Sequence, residues 1–423
     1  MSTTGQNSFW LVALTGAGYF LLKRRPFDLF SLGFFSALVY FSPGFIGVTN
    51  VPGLVLSVEA IGESAYSAMT VVLASLLAMT FARDAVSAQA PDYRQRVFHL
   101  RGDEWVSWIA LLVGFLALIG TLSDLKDAVS SLYKEDILNN IGRWHILFEY
   151  SVSLAALTFY QTGQRIGLLC AVAMLSLDIF LFEFRSAAVI TLLATGVLGL
   201  AHHRRLRLLG KTRLIVIGAL ALLFMLFAKQ FLFAFRYAVS TGDAGSLWEQ
   251  LVNLDSYLLA LVSAEPSVTV TILNAVTKLN FSVPFGNLAD AFVAQVPFAN
   301  LLGADPRGFN ELFQPVLFPE IEYGMANNIW AQMYSLGGLF GVMVFSIAYA
   351  LVLWGLSLLI GRSSRTLQAM LALAGTYWAF YIHRNDLLYQ LLLERRVILV
   401  FLMIYLASWL LNVAARRPAV RAA

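Results

Sequence analysis

The chain has 423 residues, of which 59% are hydrophobic and only 13% charged, with 29 Lys and Arg against 25 Asp and Glu. A soluble domain carries about 25% charged residues, so this composition, with a mean hydropathy of +0.73, excludes an ordinary soluble enzyme and reads as an all-α polytopic membrane protein. The net charge of +4 fits loop arginines meeting anionic lipid rather than nucleic acid, and the single cysteine, Cys170, excludes a disulfide framework.

A spanning helix needs roughly 20 apolar residues. Spans are predicted near 6–22, 27–47, 64–82, 105–122, 145–162, 166–184, 187–201, 213–235, 328–360, 366–382 and 390–412, about eleven in all. The first and seventh are short, and the ninth is long enough to tilt strongly. The first apolar run ends at Lys23, Arg24 and Arg25 without a small-residue cleavage site, so it is expected to stay as a span. Positive charge favours the cytoplasmic side. With 23–25 inside, the segments 83–101, Arg165, 204–213, 362–365 and 416–421 also fall inside, and together they hold eighteen of the 29 Lys and Arg. The expected topology is a single integral membrane domain over 1–423, with the N-terminus outside and the C-terminus cytoplasmic.

The longest external connection covers 236–327. Ser246 and Glu249 have capping-box spacing, and Leu247, Trp248, Leu251, Leu254, Leu258 and Leu259 follow as a helical stripe. Pro266 can occupy the first turn of a second helix over 267–278, and a third apolar stretch, 286–302, is interrupted by Pro297. These are read as interfacial amphipathic helices, or a structured outer domain, within a large external loop.

Arginines recur on the side that the charge bias leaves poor in them: Arg185, Arg236, Arg307, Arg384, Arg395 and Arg396. Each alone reads as readily as a snorkelling side chain. As a set they point to an anion, and the planar guanidinium suits phosphate best. Among intramembrane acids, Glu183 is expected to pair with Arg185 or another arginine, and Asp178 to bond a neighbouring helix; Glu149 is the third. Asp305, Glu311, Glu320, Glu322 and Asp386 lie outside. His145 and His383 are at the outer surface, and His383, beside Arg384, reads equally as a helix-end cap or a catalytic group. Nucleotide loops, CxxC pairs, HExxH and Asp-x-Asp are absent from the sequence. Chemistry is therefore expected at the membrane surface, without metal, cofactor or nucleotide.

The number of spans, the late external loop and the outer arginines together resemble the Wzy-type polysaccharide polymerases. The stretch Tyr323-Gly-Met-Ala-Asn-Asn-Ile-Trp-Ala-Gln-Met-Tyr-Ser-Leu-Gly-Gly-Leu-Phe-Gly341 is similar to that family's passage from outer loop into the next span, and Arg185 precedes Gly196 at a spacing found in some members. The resemblance implies a GT-C-like fold and an inner-membrane glycosyltransferase that joins oligosaccharide repeat units carried on undecaprenyl pyrophosphate. Donor and acceptor are both lipid-linked, and a chain-length regulator is an expected partner.

On this reading Arg185, Arg236 and Arg384, then Arg395 and Arg396, bind pyrophosphate, and Asp386, His383 and Glu322 are base or sugar-contact candidates. An O-antigen ligase, transferring the glycan to lipid A core, is the nearest alternative; such an enzyme is expected to carry a histidine in the large loop, and 236–327 has none. A transporter or flippase for an anionic or lipid-linked substrate is the alternative from another class, and a scaffold subunit of an envelope complex is a third.

Overall fold

Long apolar runs bounded by charge, glycine or proline become helices here, because in lipid every backbone N–H and C=O must be satisfied internally. The computed structural model describes residues 4–22, 27–49, 58–89, 103–125, 141–182, 184–202, 264–296, 306–321 and 325–416, with single positions between 231 and 253. In chain order the helices are α1 (Thr4–Leu22), α2 (Leu29–Tyr40), α3 (Pro43–Ile46), α4 (Glu63–Gln89), α5 (Asp103–Leu125), α6 (Arg143–Thr162), α7 (Arg165–Phe182), α8 (Ser186–His202), α9 (Glu265–Lys278), α10 (Gly286–Val293), α11 (Phe309–Leu317), α12 (Ile329–Arg362), α13 (Arg365–Phe380) and α14 (Leu387–Arg416). Among the described residues the only extended pairing is a two-residue antiparallel ladder, β1 (Val48–Thr49) with β2 (Val58–Glu59), in which Val48 faces Glu59.

Among the described residues, five helical stretches are long and apolar enough to cross a membrane: Glu63–Val86, Trp105–Leu125, Arg165–Phe182, Ile329–Arg362 and Leu387–Ala414. The helices α2 and α8 are apolar but shorter. The predicted span 27–47 is interrupted because α2 stops at Tyr40 and Pro43 opens a new turn. Most of 213–235 lies outside the described residues. Within the external connection, α9 carries Pro266 in its first turn, whereas Ser246 and Leu247 lie outside the described residues.

The chain forms two compact units. Unit 1 comprises Met1–Tyr93, Leu261–Ser357 and Gly375–Glu394; unit 2 comprises Arg94–Ala260, Leu358–Ala374 and Arg395–Ala423. In unit 1, Asp28 caps α2 by accepting from the Ser31 N–H at 3.0 Å, and it pairs with Arg83 near the end of α4. The other end of α2, about 18 Å away at 1.5 Å per residue, buries Tyr40 and Phe41 beside Trp330 of α12 and the segment after α13.

Helix α12 is not one rod. Gly337 and Gly338 leave helical geometry, and Gly338 has φ +59°, a region that glycine tolerates and most residues do not. The carbonyl of Ser335, just before the break, accepts from the Val283 N–H at 3.2 Å. The predicted long ninth span is thus a short segment carrying Trp330 and Gln332, followed by a longer one.

In unit 2, α6 packs between α5, α7 and α8. It turns His145, Ser151, Ser153 and Thr158 inward along with Phe148, Val152 and Phe159, and Trp108 of α5 meets Phe159 edge-on at 4.9 Å. These inward polar positions are why α6, although 20 residues long, is less apolar than its neighbours. Its C-terminus is closed by Gly163 in the left-handed conformation, whose N–H bonds the Phe159 and Tyr160 carbonyls.

Candidate functional site

The segment between α13 and α14 is short and polar, and unit 1 builds an end around it. Tyr381–Arg384 forms a single 3-10 turn, and Ser36 of α2 holds its start by donating to the Phe380 carbonyl at 3.0 Å. Asp386 then caps α14. Its Oδ1 accepts from the Tyr389 N–H at 2.7 Å, and its Oδ2 accepts from the Phe309 N–H at the start of α11 at 2.6 Å. One buried carboxylate therefore satisfies backbone donors at two helix starts, where negative charge is also favoured by the helix dipoles. Burial raises its carboxyl above the usual range, and the two backbone bonds pull the other way. Gln332 of α12 completes the joint: its Oε1 accepts from the Leu387 N–H at 2.9 Å and its Nε2 reaches Asn287 of α10. Ala291 of α10 and Ala294 just after it pack on Leu388.

His383 points into this end of unit 1 and is fully buried. Its Nδ1 accepts from the indole N–H of Trp330 at 3.0 Å, which fixes the proton on Nε2. Tyr40, Phe41, Trp330 and Tyr349 surround the ring at centroid distances of 5.7 to 6.0 Å. Burial pushes the imidazole down to about 3, with the Gly33 carbonyl opposing. A neutral imidazole with its lone pair occupied by Trp330 packs as a core group and cannot accept a proton from a sugar hydroxyl without leaving its pocket.

Arg384 turns the opposite way. Its Nη1 donates to Oε1 of Glu265, the first residue of α9, at 2.5 Å, and the side chains are 29% and 45% exposed. The guanidinium lies 5.1 Å from the Tyr381 ring centroid, and the Tyr40 hydroxyl is near enough to Glu265 to interact with its carboxylate. Burial works against the charge of Arg384, but Glu265 and the surrounding tyrosines outweigh it and hold the guanidinium above its ordinary range. The result is a cation and a carboxylate side by side at a half-open surface, with two phenol rings as walls. Such a pair can offer an anion a permanent charge and a hydroxyl a proton acceptor. Glu265 was not a sequence candidate; the signal was an acid one residue before Pro266 at a helix start.

The remaining predicted residues divide by unit. Arg185, Arg395 and Arg396 belong to unit 2 and are half-buried. Arg396 lies within electrostatic reach of Glu149, and Ser186, next to Arg185, donates to Oε1 of Glu149 at 3.0 Å. Arg236, Glu183, Asp305 and Glu322 lie outside the described residues. Arg307 is exposed, and its carbonyl accepts from Asn287. Asp178 does bond a neighbouring helix: its Oδ1 meets Nε2 of His145 at 2.8 Å.

Compared with protein-family models, curated proteins and solved structures, the chain matches none.

Proposed function

We propose that this protein polymerises oligosaccharide repeat units carried on undecaprenyl pyrophosphate, at the periplasmic face of a bacterial inner membrane. The observation that supports it most is the half-exposed Arg384–Glu265 pair, walled by Tyr40 and Tyr381. It sits at the end of unit 1 away from the Asp28–Arg83 pair, and Arg83, which opens a positive-rich stretch of the sequence, belongs inside by the charge bias.

In the reaction the acceptor hydroxyl oxygen forms a bond to the donor's anomeric carbon as the bond from that carbon to pyrophosphate oxygen breaks. Glu265 takes the hydroxyl proton. Arg384 faces the leaving pyrophosphate, whose charge grows in the transition state, where a fixed cation counts most. Arg185, Arg236, Arg395 and Arg396 enter as pyrophosphate ligands from the sequence resemblance alone. No step requires a divalent metal, because the leaving group is already activated.

The test supplies purified protein with lipid-linked repeat units alone. Ladders of joined units, formed without added nucleotide or metal, are expected, and Arg185→Ala and Arg384→Ala should each abolish them while expression is kept. Chains that form only when a separate core acceptor is added would make the protein a ligase. Substrate crossing vesicles with nothing joined would make it a transporter.

A further inference from the structure

Unit 2 holds a second ionisable cluster, which the proposed chemistry leaves unused. His145 and Glu149 are one helical turn apart on α6, and Asp178 projects from α7. Nε2 of His145 lies 2.8 Å from Asp178 Oδ1, and its Nδ1 lies 4.0 Å from Glu149 Oε2. One donor atom from each of the three residues lies within 4.8 Å of the others. The side chains of His145 and Asp178 are 5% and 0% exposed, and that of Glu149 is 14% exposed. Phe182 and Phe184 wall the imidazole at centroid distances of 5.6 and 4.6 Å.

A neutral imidazole offers one donor and one acceptor. Here both of its nitrogens face carboxylate oxygen, so in the neutral ring one carboxylate meets a lone pair. Two carboxylates largely withdrawn from water are stabilised by positive charge; Arg396 supplies some of it to Glu149, and a cation among the three groups would supply it to all of them at once. Tetrahedral zinc, with bonds of about 2.0 to 2.2 Å, sets its ligand atoms about 3.4 Å apart; with one donor atom from each residue within 4.8 Å of the others, an ion bound through a single imidazole nitrogen draws the three closer together. The cluster also has an outer support: Ser186 of α8 bonds the Glu149 oxygen that does not face the imidazole, the kind of contact that orients a metal-binding carboxylate.

We propose that His145, Glu149 and Asp178 form a site for a divalent transition-metal ion, Zn2+ being the ion this donor set fits best, with water completing the coordination. The ion joins the start of α6 to the end of α7 and, through Ser186, to the start of α8. The inference is independent of the polymerase reading.

The test uses the full chain in detergent, purified on a tag without histidine, stripped with chelator, incubated with Zn2+ and desalted. Elemental analysis is expected to find about one zinc per chain, with Mg2+ not retained; a nitrogen–oxygen site prefers zinc. His145→Ala and Asp178→Asn should lower retention at least tenfold, and Ser186→Ala, which touches no metal, should weaken affinity by about tenfold. Co2+ loaded in place of Zn2+ should give the visible absorption of a low-coordinate ion, lost in Glu149→Gln. Zinc no higher in wild type than in His145→Ala, or in Glu149→Gln and Ser186→Ala if His145→Ala does not fold, overturns the proposal and leaves a protonated imidazole between two carboxylates.

Discussion

Units 1 and 2 each gather acids and bases from different helices, but water reaches the two clusters differently. Arg384 and Glu265 of unit 1 are 29% and 45% exposed, whereas His145 and Asp178 of unit 2 are 5% and 0% exposed. A ligand as large as a sugar pyrophosphate can meet only the first kind of cluster. The second admits nothing larger than an ion. Burial divides unit 1 internally in the same way: Arg384 looks out, while His383 and Asp386, its near neighbours in sequence, are consumed by the core and by helix starts. Residue type alone does not assign a role; the side of the turn on which a residue falls does.

The sharpest way to break this contrast is to neutralise the exposed pair. Glu265→Gln is expected to lower ladder formation by about 10²- to 10⁴-fold, the usual contribution of a positioned proton acceptor. Arg384→Lys should recover only part of the activity lost in Arg384→Ala, since a point charge lacks the guanidinium fork. Initial rates with lipid-linked units, set against thermal unfolding in the same detergent, separate loss of chemistry from loss of fold. Activity within a few-fold of wild type in both variants would move the reaction away from this end of unit 1.

The next effect is on stability. His383→Ala removes a fully buried ring and leaves the Trp330 N–H without its acceptor, at an expected cost of about 3 kcal/mol. The residue also sets a pH dependence. His383 is neutral in the fold down to about 3, whereas an unfolded-state histidine takes up a proton below about 6.5. Its contribution is therefore complete above pH 6.5 and declines as pH falls towards 3, by up to about 1.4 kcal/mol per pH unit. Unfolding midpoints measured from pH 7 to 4 should drop more steeply in wild type than in His383→Gln.

Asp386 gives a smaller, two-sided test. Asp386→Asn keeps an oxygen for one helix start and should cost about 1 kcal/mol, and Asp386→Ala about 2 to 3, while Asp386→Asn keeps ladder formation within a few-fold. A folded Asp386→Asn protein without activity would restore Asp386 as the proton acceptor. Comparable in size, Gly338→Ala is expected to cost about 1 to 3 kcal/mol, because φ +59° with ψ −149° is a conformation that residues with a Cβ rarely adopt, read as a shifted unfolding midpoint.

Much of the helical layout was legible because apolar runs and their breaks are local. Pro266 marked the start of α9, whereas 328–360 reads as one long span in sequence and the structure breaks it at Gly337 and Gly338. The site was legible only in part. Arg384 stood out because arginine is unexpected at that position, but its sequence neighbours were given chemical roles that burial argues against. Glu265 lies 119 positions from Arg384, and no periodicity links the two. His145 and Glu149 have the spacing that stacks side chains on one helix face, yet Asp178 comes from another helix, so no contiguous motif announces the three.

The interruption in α12 has a mechanical consequence. A continuous span passes any change in its tilt along its whole length, and bilayers of different thickness demand different tilts. In α12 the part carrying Trp330 and Gln332 is bonded to His383 and to the Leu387 N–H, and the part beyond Gly338 packs back on Trp330 and His383 through Phe345 and Tyr349. The glycine pair interrupts the backbone ladder but not this packing, so a change in tilt of the longer part reaches the turn that carries Arg384 through two aromatic rings and not along a continuous helix.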